Sequence, residues 1–152
     1  MNDVVEVDNI VARVSEIGLR TSKVETRDGI AMIIPNHKLV SENLINWSSN
    51  DTATRFSIKV GVAYGSDVKL VEKLLSETAW KHRKVITNPS PIILFKDFGE
   101  SSLDFELIFW SNQLFIIEQI KSEIRFMIDD AFRENNIQIP FPQRDIHVKS
   151  GN

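Results

Sequence analysis

The spacing of apolar residues changes near Thr54, and this change constrains the fold more strongly than any other feature of the sequence. Before Thr54, apolar residues form short runs rich in Val, Ile and Thr, which are typical of β-strands. These runs predict strands at residues 4–7, 11–17, 19–26, 30–34 and 44–47. After Thr54, strand-like alternation and helix-like spacing follow one another. The sequence therefore predicts an α+β chain, with an all-β domain at residues 1–53 and an α/β domain at residues 54–152.

Two signals mark strand ends in the first domain. The pair Asp28-Gly29 separates two β-prone runs, and glycine supplies the positive φ that a tight hairpin requires. Pro35 cannot donate a backbone hydrogen bond to a neighbouring strand. We therefore expect a hairpin turn at Asp28-Gly29 and a strand that ends, or lies at a sheet edge, at Pro35.

The second domain shows the order strand, helix, strand, strand, helix, strand. RFSIKVGVAY alternates as a half-buried strand, and SDVKLVEKLLSETAW has helical spacing with Ser66 or Asp67 as N-cap. Strands follow at residues 92–98 and 103–110, and a second helix ends near Asn135-Asn136. A final strand begins at residues 137–141. This order predicts a ferredoxin-like (βαββαβ) domain, with two helices on one face of a mainly antiparallel sheet.

Composition argues against several classes of protein. Residues 1–53 contain 5 basic and 8 acidic side chains, and the rest contain 13 of each, so neither half is a basic surface for nucleic acid. The three histidines are far apart, with no second ligand at metal spacing, and no catalytic or cofactor-binding motif is present. Without cysteine, a leader or a long apolar run, the chain fits a reducing, cytoplasmic setting. We expect neither an enzyme nor a cofactor.

The closing stretch IPFPQRDIHV has no evident partner in its own chain. Residues i and i+2 of a strand direct their amides to the same edge, so Pro140 and Pro142 together remove two donors from one side. The predicted sheet is already complete at about Phe141. The surplus strand consists of Arg144, Asp145, Ile146, His147 and Val148. Either it is a disordered tail, or it pairs with the same segment of other copies.

Four runs appear together in a fixed order: IGLRTSKVETRDGIAMIIPNHKLVSENLINWS, FSIKVGVAYGSDVKLVEKLL, GESSLDFELIFW and IPFPQRDIHV. In this order and spacing the chain resembles, over about residues 3–148, the cytoplasmic part of the small-conductance mechanosensitive channel family, MscS. The resemblance implies that the first domain is a small Sm-like β-barrel and that subunits form a heptameric hollow vestibule. It also implies that the segment after PFPQ is a strand of a parallel barrel between subunits, which favours pairing over a disordered tail.

The same resemblance implies roles for two groups of residues. Asn36, with His37 and Lys38, matches the family position that contacts the pore helices and helps couple the vestibule to the gate. The alternative is an ordinary turn asparagine. Arg55, with Asp51 and Thr54, lies where the family has side portals, and charges in narrow openings influence which solutes enter. The alternative is a solvated linker.

The function implied by the resemblance is that of a vestibule domain acting in assembly, gating and solute filtering. The channel releases ions and small osmolytes under membrane tension at the cytoplasmic face of the bacterial inner membrane. Its pore and membrane helices would precede Asp3 and are absent from this sequence, so we expect a soluble fragment of a homo-oligomer. Two alternatives are a ligand-sensing regulatory domain built on the ferredoxin-like half and an Sm-like nucleic-acid-binding protein.

Overall fold

The computed structural model describes residues 2–41, 45–46 and 53–151. Its chain divides into two compact units: Met1–Thr54 with Ser111–Ile120, and Arg55–Trp110 with Lys121–Asn152. The sequence predicts residues 111–120 as part of the second domain, whereas they group with the first unit. Their attachment depends on contacts with residues far away in sequence, which are described below.

The first unit is built on an antiparallel sheet. Its elements are β1 (Val4–Val7), β2 (Ile10–Ile17), β3 (Thr21–Thr26), β4 (Ala31–Pro35), α1 (Asn36–Ser41) and β5 (Ile45–Asn46). The strand order is β4-β3-β2-β1-β5. The hairpin predicted from Asp28-Gly29 is confirmed, since Gly29 has a φ of 77° and the Thr26 amide donates to the Ile30 carbonyl oxygen at 2.9 Å.

Alternation along the strands of this unit creates a small apolar core. Its buried members are Val5, Val7, Ala12, Val14 and Val24, against which Met32, Ile34 and Leu39 pack. Leu39 belongs to α1, a six-residue helix that the sequence did not predict. Within residues 2–41 and 45–46 the sheet runs from β4 to β5, and the closed Sm-like barrel stays a prediction.

The rest of the chain has the predicted alternation of strands and helices. Its elements are β6 (Thr54–Val62), α2 (Val68–Lys81), β7 (Ile92–Phe98), β8 (Leu103–Ser111), a 3-10 turn (Leu114–Ile116) and α3 (Ile117–Glu134). The strands form a sheet in the order β6-β8-β7, in which β7 and β8 are antiparallel. Asp67, rather than Ser66, caps α2, because its Oδ1 accepts the amides of Lys69 and Leu70 at 3.1 and 3.2 Å.

Apolar residues that alternate along one face of β8 are buried, and so are most of those at helical spacing along α3. On β8 these are Leu103, Phe105, Leu107 and Phe109, and on α3 they include Ile124, Ile128 and Phe132. The end of α3 also follows the prediction, since Asn136 adopts a φ of 55°. The Ile137 amide then donates to the Phe132 carbonyl oxygen at 2.9 Å, which is the long bond of a Schellman motif.

The predicted final strand is wrong for this structure. From residue 137 to residue 151 the chain has no helix or strand. The Ala63 amide donates to the Gln138 carbonyl oxygen at 2.8 Å, so the segment begins beside the end of β6. Pro140 and Pro142 follow at once and have no amides, and a ladder cannot continue through them. The unit therefore has a βαββα order with a three-stranded sheet, not the full βαββαβ plan.

Candidate functional site

Asn36 lies where β4 ends and α1 begins, and both polar atoms of its side chain make hydrogen bonds. Its Oδ1 accepts the Ser22 hydroxyl at 2.7 Å, and its Nδ2 donates to the Gly18 carbonyl oxygen at 2.8 Å. The Asn36 amide donates to the Arg20 carbonyl oxygen, also at 2.8 Å. These bonds connect Asn36 to the loop between β2 and β3. Asn36 is therefore more than a local turn residue, because it holds a neighbouring hairpin.

The loop held by Asn36 carries apolar side chains on its outside. Leu19 is fully exposed and Ile17 is largely exposed. The loop itself is tight, since the Gly18 amide donates to the Thr21 carbonyl oxygen at 2.9 Å. A side chain at Gly18 would place its Cβ only 2.7 Å from that same oxygen. The result is a tight loop with an apolar tip.

His37 and Lys38 follow Asn36 directly in the first turn of α1, and the gating role of the three residues stays a prediction. Lys38 Nζ lies 3.8 Å from Asp8 Oδ2, and both side chains are well exposed. An exposed pair of this kind contributes little to stability. Asp8 and Lys38 also line an apolar cavity of about 140 Å³ in the first unit.

The residues predicted for the side portals lie near the start of β6. Thr54 and Arg55 are its first two residues, and Arg55 is exposed. Asp51 lies outside the residues that the structure describes. Their portal role stays a prediction.

The C-terminal segment is exposed along its whole length from Arg144 to Val148. Ile146 and Val148 are 80% and 88% exposed. The last tether before them is the Gln143 amide, which donates to Ser101 Oγ at 3.1 Å. Across residues 2–41, 45–46 and 53–151, no hydrogen bond or ion pair involves residues 144–148. Their backbone groups are open to water or to another chain.

Ser22 is a member of the Asn36 network that sequence reasoning missed. It is only 1% exposed, and its neighbours on the same face of β3, Val24 and Thr26, are buried too. A serine on the apolar face of an alternating strand needs a hydrogen-bond partner. That position was the available signal, although nothing in the sequence identifies Asn36 as the partner.

The histidine that the structure buries has a structural role. His82 Nδ1 accepts the Lys84 amide at 3.2 Å, which leaves the proton on Nε2, 2.6 Å from Glu123 Oε2. In the part of the chain that is described, no group of His, Asp and Glu could hold a metal ion. Nor does any described helix combine the length and the apolar composition needed to cross a membrane.

Comparison with known proteins identifies both halves of the chain. Residues 1–49 match the family model described as the mechanosensitive ion channel beta-domain, and residues 56–139 match that of the mechanosensitive ion channel MscS, C-terminal. The chain is 39% identical over 148 residues to mechanosensitive channel MscK of Escherichia coli (strain K12), covering 97% of this chain and 13% of MscK. It is 31% identical to the small-conductance mechanosensitive channel of Helicobacter pylori (strain UM084), covering 97% of this chain and 54% of that protein. The chain thus spans about half, or much less, of these relatives.

Solved structures give the same result. The crystal structure of Helicobacter pylori MscS in its closed state matches with a TM-score of 0.81 and 32% identity, over 98% of this chain and 58% of that one. A cryo-EM structure of Arabidopsis thaliana MSL1 matches with a TM-score of 0.66 and 14% identity, over 93% of this chain and 52% of that one. The second match shows a shared fold.

Proposed function

Because the chain belongs to the MscS family of mechanosensitive ion channels, we propose that it is the cytoplasmic vestibule domain of such a channel. The channel is a heptamer at the cytoplasmic face of a bacterial inner membrane, and it releases ions and small osmolytes when membrane tension rises. The vestibule contributes to assembly, gating and solute filtering. The family is one of channels rather than of enzymes.

The observation that carries this proposal is the exposed segment from Arg144 to Val148. Its backbone has no partner in the described chain, and in an extended conformation Ile146 and Val148 would point to the same side. A parallel barrel with one strand from each copy would pair every edge and cover both apolar side chains. The same barrel would join the subunits at the base of the vestibule.

The network around Asn36 supports a role in gating. Asn36 and Ser22 hold the loop of Ile17 and Leu19 in one position, and Leu19 is fully exposed there. We place the pore helices of the channel against this loop, with His37 and Lys38 beside it. Movement of those helices would then reach the sheet through Asn36. Asp51, Thr54 and Arg55 are assigned to the side portals on the resemblance alone.

Recording from membrane patches tests this function. The intact protein that carries this chain is expressed in bacterial cells without tension-activated channels of their own. We expect currents that appear when suction is applied, and survival of the cells after a sudden drop in external osmolarity. A matched variant that ends at Gln143 loses the proposed barrel strand and is expected to assemble poorly and to give little current. Absence of tension-activated current from the correctly inserted intact protein would contradict the proposal.

A further inference from the structure

Arg27 bonds two consecutive backbone carbonyls at the turn that precedes α3. Its Nε donates to the Phe115 carbonyl oxygen at 2.9 Å, and its Nη2 donates to the Leu114 carbonyl oxygen at 3.0 Å. Arg27 follows β3 directly and lies 88 positions before Phe115 in the sequence. The planar guanidinium can make both bonds at once, which an ammonium group cannot do in the same geometry.

The carbonyl of Leu114 has a second role. It also accepts the Ile117 amide, which closes the 3-10 turn from which α3 begins. Leu114 itself is buried. Arg27 therefore binds the Leu114 carbonyl group, from which the helix starts, and also the carbonyl group of the next residue, Phe115.

A second arginine contacts the same turn through the aromatic ring of Phe115. The guanidinium carbon of Arg13, on β2, lies 4.3 Å from the centre of the Phe115 ring. This distance is well within the range of cation–π attraction. Arg13 and Arg27 thus hold Phe115 by its ring and by its carbonyl group. All of these residues belong to the first compact unit, which includes residues 111–120.

We propose that Arg27 and Arg13 form a clamp that positions the start of α3 and so adjusts gating of the channel. This inference rests on the proposed function. A displaced 3-10 turn would shift the first turn of α3, residues 117–120, which belongs to the same unit as Arg27. Arg27 and Arg13 act as positioning residues, because neither is placed at the pore.

Hydrogen exchange on the intact channel tests the clamp directly. In Arg27→Gln we expect the amides of Ile117 to Ile120 to exchange about tenfold faster, because opening the turn no longer breaks two bonds to a charged group. Arg27→Lys keeps the positive charge but cannot make both hydrogen bonds in the same geometry. Its exchange rates should therefore lie between those of the wild type and of Arg27→Gln. Arg125→Gln is the control: it removes the same charge from α3, and Arg125 makes no hydrogen bond or ion pair with any described residue. Unchanged exchange in Arg27→Gln would overturn the clamp.

The ring contact has its own test. Phe115→Leu keeps the carbonyl that Arg27 binds and removes only the ring. If Arg13 acts through the ring, the effects of Arg13→Gln and Phe115→Leu on exchange are not additive, since either change alone removes the same contact. Additive effects would restrict the clamp to Arg27.

Patch recording then distinguishes an effect of Arg27 on the position of the turn from an effect on the stability of the protein alone. In Arg27→Gln we expect current under sustained tension to decay severalfold faster, with partial recovery in Arg27→Lys, because the start of α3 is no longer held in one position. Assembly and the melting temperature are measured on the same samples. Faster decay at an unchanged melting temperature supports positioning, whereas a lower melting temperature with normal decay overturns it.

If Arg27→Gln does not assemble, Arg27→Lys provides the comparison. A wild-type channel without tension-activated current would contradict the proposed function instead, and the exchange result would still decide whether the clamp exists.

Discussion

The Ser22 hydroxyl donates a hydrogen bond to the Asn36 side-chain oxygen at 2.7 Å, across 14 residues of sequence. Because Asn36 also donates to the Gly18 carbonyl oxygen, one amide group joins the buried face of β3, the loop before it and the start of α1. An amide can do this since it is both donor and acceptor. The residue predicted to contact the pore helices is therefore held by two parts of the same hairpin.

Removing the Ser22 hydroxyl should destabilise the first unit. Ser22→Ala leaves the Asn36 oxygen without its donor, so we expect a loss of about 1–2 kcal/mol in the free energy of unfolding. Denaturant titration of the purified protein measures it. Ser90→Ala is the matched control, because Ser90 is exposed in a loop and its loss should change stability by less than about 0.5 kcal/mol. Equal effects of the two changes would show that the Ser22 bond contributes nothing.

Sequence patterns predicted those parts of the fold that depend on local spacing. The turn at Gly29 follows from the pair Asp28-Gly29, and the buried face of β8 and the apolar face of α3 follow from short-range periodicity. Helix α1 was missed because six residues after a proline are too few to show a helical period. The strand predicted at residues 137–141 is wrong, because alternation favoured it whereas Pro140 and Pro142 have no amides to donate. The contacts of Arg13 and Arg27 with Phe115 could not be predicted, since no local sequence pattern connects residues so far apart.

Replacement of Gly29 tests backbone conformation alone. A Cβ at this position would meet no atom within 4 Å, so any cost of Gly29→Ala comes from its φ of 77°. We expect a loss of about 1 kcal/mol in the free energy of unfolding. Gly151→Ala is the control, because Gly151 also has open space around it but lacks a positive φ. A cost for both changes, or for neither, would contradict this explanation.

Two substitutions of Asn136 should change the free energy of unfolding in opposite directions. It occupies the left-handed position after α3 with a φ of 55°, where glycine is the most favourable residue and alanine is strained. Asn136→Gly should raise the free energy of unfolding by about 0.5 kcal/mol, and Asn136→Ala should lower it by about 1 kcal/mol. Thermal unfolding of the three proteins provides the measurement. Asn112→Ala, at an exposed position without a positive φ, should have little effect. The reverse order of the two Asn136 variants would be incompatible with the observed helix end.

Substitutions on the two faces of the C-terminal segment should weaken assembly to different extents. In an extended strand Ile146 and Val148 share one side and His147 lies on the other, so a barrel of such strands would bury the isoleucine in contact with its neighbours. Ile146→Ser should then raise the concentration at which the oligomer dissociates by about tenfold or more, since burial of one isoleucine contributes about 1.5–3 kcal/mol. His147→Ser is the matched variant on the opposite side and should change that concentration by less than about threefold. Light scattering over a dilution series measures both.

Folding of the single subunit should be unaffected by either change. Ile146 is 80% exposed in the isolated chain, so its replacement removes little buried apolar surface within the subunit. Equal weakening by Ile146→Ser and His147→Ser would show that the segment does not form a two-faced strand. No weakening by either would show that assembly does not use residues 144–148 at all, and the barrel would have to be abandoned while family membership stands.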